Sequence, residues 1–140
     1  MASALLTRRI TFSAAHRYRR PEWSDEENER VFGLCAWPNY HGHSYTCDVT
    51  LRGEIDPRTG FLVDVAALDS VLAREIRDRF DHRNINLDVP EFADGKLVPT
   101  GENLARYIFE RLRASLGGGV NVTEVTVAED STLRCSYRAE

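Results

Sequence analysis

Apolar and polar residues alternate from His41 to Ile55. His41, His43, Tyr45, Cys47, Val49 and Leu51 fall on one side of the pattern, and Gly42, Ser44, Thr46, Asp48, Thr50 and Arg52 on the other. A period of two is that of a half-buried strand. Leu5 to Ala15 carries Thr, Ile and Phe in rougher alternation and predicts an earlier strand. Asp56-Pro57-Arg58-Thr59-Gly60 has turn composition, and Phe61-Leu62-Val63 after it predicts a strand that closes an antiparallel hairpin. The period then changes. Val65, Leu68, Leu72, Ile76 and Phe80 recur at helical spacing behind Asp64, a good N-cap. Leu104, Ile108 and Leu112 mark a second amphipathic helix, opened by Thr100 and stopped by Gly117-Gly118-Gly119. Val120 to Ala128 and Leu133 to Tyr137 alternate again and predict a final hairpin.

The connections are uneven. Ser24-Asp25-Glu26-Glu27 has capping-box form and predicts a short helix before Val31-Phe32, followed by a loop from Gly33 to Asn39. Asp81 to Pro99 reads as a long loop with two prolines, and loops of that length in small domains are often functional. The element order predicts an α+β fold, an antiparallel sheet with helices on one face. No repeat or charge block divides the chain, so residues 1–140 read as one domain.

Composition narrows the function more than the fold. The net charge of −4, from 18 basic and 22 acidic residues, disfavours a general nucleic-acid surface. It leaves room for a local basic pocket that holds a small anion. No apolar run approaches the ~18 residues of a membrane span, and the first residues are too short an apolar stretch for an export signal. Cys35, Cys47 and Cys135 are odd in number and lack Cys-x-x-Cys spacing, which fits free thiols in a reducing cytoplasm.

Four groups of residues can carry chemistry. His41 and His43 project from the same face of a strand, and His16 ends the neighbouring one. Three converging imidazoles would make a Zn²⁺ site with one coordination position open; the plainer reading is ordinary histidines at strand ends. Cys35 lies outside any periodic segment. It reads as a thiolate base or nucleophile, as a closing fourth metal ligand, or as a small buried hydrophobe. Cys47 and Cys135 alternate within strands and read as packing thiols. Asp81-His82 follows the first long helix. A carboxylate can orient an imidazole, but adjacent residues rarely bond side chain to side chain, and a helix-end His⁺ is the competing reading. Glu129 shares a strand face with Val125 and Val127. It reads as a buried acid able to accept two adjacent N–H donors of a pterin or guanine edge, or as a solvated strand-end acid.

Together these segments resemble the 6-pyruvoyltetrahydropterin synthases and the related 6-carboxytetrahydropterin synthases. The resemblance rests on Thr11-Phe12-Ser13-Ala14-Ala15-His16-Arg17 and on Phe32-Gly33-Leu34-Cys35 followed by His41-Gly42-His43-Ser44-Tyr45. Gly53-Glu54-Ile55-Asp56-Pro57-Arg58-Thr59-Gly60, Phe80-Asp81-His82-Arg83-Asn84-Ile85-Asn86 and Pro99-Thr100-Gly101-Glu102-Asn103-Leu104 continue it in order. It implies a tunnelling fold: a four-stranded antiparallel sheet with two helices, three subunits forming a β-barrel, and two trimers stacked as a homohexamer with active sites between subunits. The implied substrate is 7,8-dihydroneopterin triphosphate. His16, His41 and His43 would hold a catalytic zinc, Cys35 would be the base, and Asp81 and His82 a proton relay from a neighbouring subunit. Glu129 would anchor the pterin, with Thr100 and Glu102 lining its pocket. Arg17, Arg19 and Arg20 are candidates for the triphosphate. The five-residue gap between Cys35 and His41 resembles the pyruvoyl-forming members. The competing readings are the carboxy-forming enzyme of queuosine synthesis, which releases acetaldehyde, a non-catalytic pterin- or purine-binding module, and a structural zinc protein.

Overall fold

The computed structural model describes residues 2–140. Its backbone is organised by two long strands, β1 (Ser3–His16) and β2 (His41–Glu54), each of 14 residues. They pair antiparallel over their full length, from Ser3 opposite Glu54 to His16 opposite His41. Helix α1 (Asp25–Phe32) and a 3₁₀ turn (Gly33–Ala36) fill the connection between them. The Ser24 hydroxyl caps α1 by accepting from the Glu27 N–H at 3.1 Å, as the capping box predicted. Gly33, at φ 59°, takes the left-handed turn from α1 into the 3₁₀ segment that carries Cys35.

After β2 the chain forms α2 (Val65–Leu72), a π-helical turn (Ala73–Arg77) and α3 (Asp78–Phe80). Asp64 caps α2, its carboxylate accepting from the Ala66 and Ala67 amides. Within the π turn, buried Glu75 accepts from Arg111 Nε at 2.7 Å and Ser115 Oγ at 3.1 Å, which ties this helix to the last one. Strand β3 (Arg83–Asn84), helix α4 (Ile85–Asp88) and a 3₁₀ turn (Pro90–Phe92) lead to α5 (Gly101–Ser115). Strands β4 (Asn121–Ala128) and β5 (Arg134–Arg138) close the chain. The sheet order is β3-β1-β2-β4-β5.

Apolar residues of one sheet face, among them Phe12, Tyr45, Val49, Leu51 and Val125, form a single core with Leu68, Leu72, Ile76 and Phe80 and with Leu104, Ile108 and Leu112. Phe12 stacks between Tyr45 and Phe80, with ring centroids 4.8 and 5.3 Å away. This aromatic pile is continuous with the histidine end of the sheet, because Tyr45 follows His43 on the same face of β2.

Three expectations change. The sheet has five strands and is mixed, because β3 pairs parallel to β1 at Ala14–Arg83 and Ala15–Asn84. Phe61-Leu62-Val63 is not a strand. Both edges of β2 are already occupied, by β1 up to Glu54 and by β4 from Arg52, so a hairpin partner has no ladder to join. The segment ends the turn instead, with the Asp56 N–H donating to the Phe61 carbonyl at 2.9 Å. Finally, the segment from Asp81 to Pro99 is structured. Ile85, Val89 and Phe92 are buried, and Asn84 caps α4 by accepting from the Leu87 N–H.

Candidate metal centre and substrate pocket

The β1–β2 register builds the histidine centre. Directly opposed residues of an antiparallel pair share a face, and so do residues i and i+2 of one strand. His16 therefore stands against His41, with His43 one step along. Their ligand atoms all lie within 4.8 Å of one another, with ring centroids 4.7 to 5.1 Å apart. His16 is fully buried, and its Nδ1 lies 2.9 Å from the Pro99 carbonyl oxygen. That oxygen can only accept, so Nδ1 carries the hydrogen and Nε2 keeps its lone pair. A backbone partner that fixes the tautomer is what metal-ligating imidazoles ordinarily have. Burial, and then the neighbouring imidazoles of His41 and His43, push the His16 pKa down to about 3. Burial and His43 also lower His41. His16 and His41 thus stay neutral near pH 7, as ligands must, and the three-imidazole donor set fits Zn²⁺ with a coordination position left over. Cys35 does not belong to this set, which leaves the closing-ligand reading without support.

The 3₁₀ turn carries Cys35 next to Tyr18, the residue packed edge-on to His16. The Cys35 carbonyl accepts from the Tyr18 N–H at 2.7 Å. Burial and the Glu129 carboxylate raise the Cys35 thiol, so the surrounding protein groups alone work against the expected thiolate. The residue preceding His41 is unusual as well: Tyr40 has φ 66°, rare outside glycine, and the Arg17 guanidinium lies 5.0 Å from its ring centroid.

Glu129 is 9% exposed at the end of β4. It accepts from the Tyr18 hydroxyl at Oε1, 2.8 Å, and its Oε2 lies 3.8 Å from His43 Nε2. With Tyr18, Thr100, Glu102, Val127 and Cys135 it lines a cavity of about 270 Å³. The structure thus brings together Glu129, Thr100 and Glu102. The Thr100 hydroxyl caps α5, accepting from the Asn103 N–H at 3.2 Å, and keeps its own O–H as a donor at the border of the cavity. Cys135 is not the packing thiol it was read to be. Its Sγ donates to Glu102 Oε1 at 3.1 Å inside the same cavity, and burial followed by that carboxylate pushes its pKa up to about 11. Cys47, by contrast, is fully buried.

Asp81 and His82 do not line the Glu129 cavity, and the depression that His82 borders is shared with His43. Asp81 Oδ1 accepts from the Ser13 N–H at 2.9 Å, and Oδ2 lies 3.0 Å from His82 Nδ1. The contact between adjacent side chains, expected to be rare, is permitted by the left-handed backbone of His82 at φ 60°. The His82 N–H is held by the Ser13 carbonyl at 2.7 Å. The Ser13 amide and then His82 hold Asp81 below the usual carboxylate range. His82 is largely exposed and borders a shallow surface depression with Ser13, Ser44 and Arg83. Among the described residues, no hydrogen bond joins this pair to Cys35. The three arginines considered for the anion are already engaged: Arg17 with Asp94, Arg19 with Asp25 and Arg20 with Glu22, at 3.1, 2.9 and 2.6 Å.

Tyr18 and Tyr45 were not among the expected site residues. Tyr45 lies 3.0 Å from His16 Nδ1 through its hydroxyl, and Tyr18 packs edge-on to His16 with centroids 4.9 Å apart. A signal was present for both: Tyr45 follows His43, and Tyr18 follows His16, at the spacing of two that puts side chains on one face.

The fold and site define an α+β protein with a cluster of three histidines that could hold a metal ion, beside an acid-lined cavity. The family profile described as 6-pyruvoyl tetrahydropterin synthase matches residues 5–140. The chain belongs to that family. It is 44% identical over 137 residues to the 6-pyruvoyl tetrahydrobiopterin synthase of Homo sapiens, covering 98% of this chain and 92% of the human protein. It is 43% identical over 135 residues to the Drosophila melanogaster protein of the same name, covering 96% and 79%. The structure of Caenorhabditis elegans 6-pyruvoyl tetrahydropterin synthase superposes with a TM-score of 0.91 at 37% identity, covering 100% of this chain and 98% of that one.

Proposed function

We propose that the chain is a 6-pyruvoyltetrahydropterin synthase, a lyase that converts 7,8-dihydroneopterin triphosphate to 6-pyruvoyltetrahydropterin with loss of triphosphate. The observation that carries this reading is the 3.8 Å approach of His43 Nε2 to Glu129 Oε2, which makes the imidazole centre contiguous with the acid-lined cavity. A ring held in the cavity would place its side chain over the histidines. The relatives of that name support the same chemistry.

His16, His41 and His43 hold a zinc ion in this reading, and the bound ion would supply Lewis-acid polarisation of the substrate's side-chain hydroxyls. Glu129 accepts hydrogen bonds from adjacent N–H donors of the pterin edge, with Glu102 and Thr100 bordering the ring. Cys35 removes the side-chain proton. Its thiol is raised by burial and Glu129, so the thiolate depends on positive charge at the histidine centre. Protons moved from side chain to ring leave the ring reduced and the side chain oxidised, and triphosphate departs by elimination. The exchange is internal to the substrate, so no redox cofactor is needed.

Asp81 fixes the His82 ring through Nδ1, which leaves Nε2 free to pass a proton. The exposure of His82, and the lack among the described residues of a hydrogen bond from this pair to the chain's own Cys35, support a role in a neighbouring subunit's site. The sheet ends in β3 and β5, two edges open for pairing between copies. We infer a homohexamer of two trimeric barrels, built from a single domain spanning residues 1–140, acting in the cytoplasm on a small-molecule substrate without nucleic-acid or membrane partners. No helix among the described residues is long and apolar enough to cross a membrane. The test is metal-dependent turnover. Chelator-stripped protein should lose activity on 7,8-dihydroneopterin triphosphate and regain it on addition of one zinc per chain. Absence of turnover at full zinc loading would refute the enzyme reading.

A further inference from the structure

We propose that Tyr18 is the positioning residue that couples the pterin-anchoring carboxylate to the turn bearing the base. The inference rests on Glu129 being that anchor, as proposed above, and assigns a role to a residue outside the expected set.

Tyr18 lies two positions beyond the last residue of β1 and keeps its side chain on the histidine side, with its ring edge-on to His16 at 4.9 Å and to Phe32 at 5.8 Å. These two packings fix the ring. The backbone N–H donates to the Cys35 carbonyl at 2.7 Å, and the hydroxyl donates to Glu129 Oε1 at 2.8 Å. One residue thus has fixed contacts with the metal centre, the base-bearing turn and the anchor.

The hydroxyl matters because of what Glu129 otherwise has. Among the described residues, Tyr18 is the side chain that donates a hydrogen bond to it, and His43 Nε2 approaches its other oxygen at 3.8 Å. A carboxylate that must receive two adjacent N–H donors binds them well only if its plane is set in advance. A neutral phenol can set the plane without cancelling the negative charge, as an arginine would. Among the described residues no other side chain donates to Glu129, and the Cys135 thiol of the same cavity donates to Glu102 instead. Tyr18 therefore governs pterin affinity and leaves the proton-transfer groups in place.

The test uses zinc-loaded Tyr18→Phe, which keeps the ring packing and the backbone bond to Cys35. A hydrogen bond to a charged group is worth roughly tenfold in affinity. The dissociation constant for neopterin, a fluorescent pterin used here as the probe, should rise about 10-fold. KM should rise with it, kcat should stay within about two-fold, and bound zinc and the melting temperature should not change. Glu129→Gln is measured in parallel, and Tyr18→Phe should add no further loss in its background. If Glu129→Gln weakens neopterin binding and Tyr18→Phe does not, the inference is overturned while the anchor stands. A fall in kcat at unchanged KM also overturns it. If Glu129→Gln binds neopterin normally, the anchor assignment fails and the inference falls with it.

Discussion

Acidification of the metal-free protein gives a sharp test of the histidine centre. His16 is fully buried, and its folded pKa of about 3 lies well below its ordinary 6.5. The unfolded chain therefore takes up a proton at His16 as pH falls below 6.5, while the folded chain does not until about 3. Where the unfolded state binds more protons, stability rises with pH. His16 thus costs nothing above pH 6.5 and progressively more below it, at about 1.4 kcal/mol per pH unit, which amounts to roughly 2 kcal/mol at pH 5. The assay is urea unfolding of chelator-treated protein at pH 7.5 and pH 5.0. His16→Gln serves as the reference, because its amide can still donate to the Pro99 carbonyl and it does not titrate. Carboxylates contribute equally to both proteins and cancel. Wild type should lose about 2 kcal/mol more than the variant over this interval. Equal losses would mean that His16 is not held buried and neutral by the fold.

Other substitutions separate the parts of the site. His41→Ala should lose zinc and activity while the circular dichroism spectrum persists, since the side chain is only partly buried; full activity would refute the ligand assignment. Cys35→Ala should retain zinc, measured by atomic absorption, yet lose roughly 10²–10⁴-fold in kcat, the range for removal of a proton-transfer group. Loss of zinc instead would make Cys35 a ligand. Gly101→Ala should destabilise, because the added Cβ would sit 2.9 Å from Cys135 Sγ. Cys135→Ala should relieve that penalty in the double variant, and thermal melts showing additive effects would contradict the contact.

The long strands and both main helices were legible because their periods are long and unbroken. The histidine set was legible for the same reason. A spacing of two on β2 and a matched strand end on β1 are enough to bring His16, His41 and His43 together. The face that Glu129 shares with Val125 and Val127 left a buried acid and a solvated strand-end acid both open, and the fold buries it. Elsewhere, local preference was overridden by the sheet. Phe61-Leu62-Val63 has strand composition, but β2 has no free edge to offer it. Ile85, Val89 and Phe92 carry a helical spacing that Pro90, lying within it, obscured. The Asp81–His82 contact depends on a left-handed backbone at His82, which no residue type there announces. Cys135 alternates like a packing residue, yet β5 brings it against Gly101 at the start of α5, where the absence of a side chain leaves room for the thiol beside Glu102. The arginines after His16 were candidates for an anion site in sequence; in the fold each pairs with an acid, Arg17 with the distant Asp94 and Arg19 and Arg20 with the nearby Asp25 and Glu22.

Product identity tests the central claim most directly. Zinc-loaded protein incubated with 7,8-dihydroneopterin triphosphate should yield 6-pyruvoyltetrahydropterin and inorganic triphosphate by mass spectrometry. Release of acetaldehyde with 6-carboxytetrahydropterin, or unchanged substrate, would contradict it.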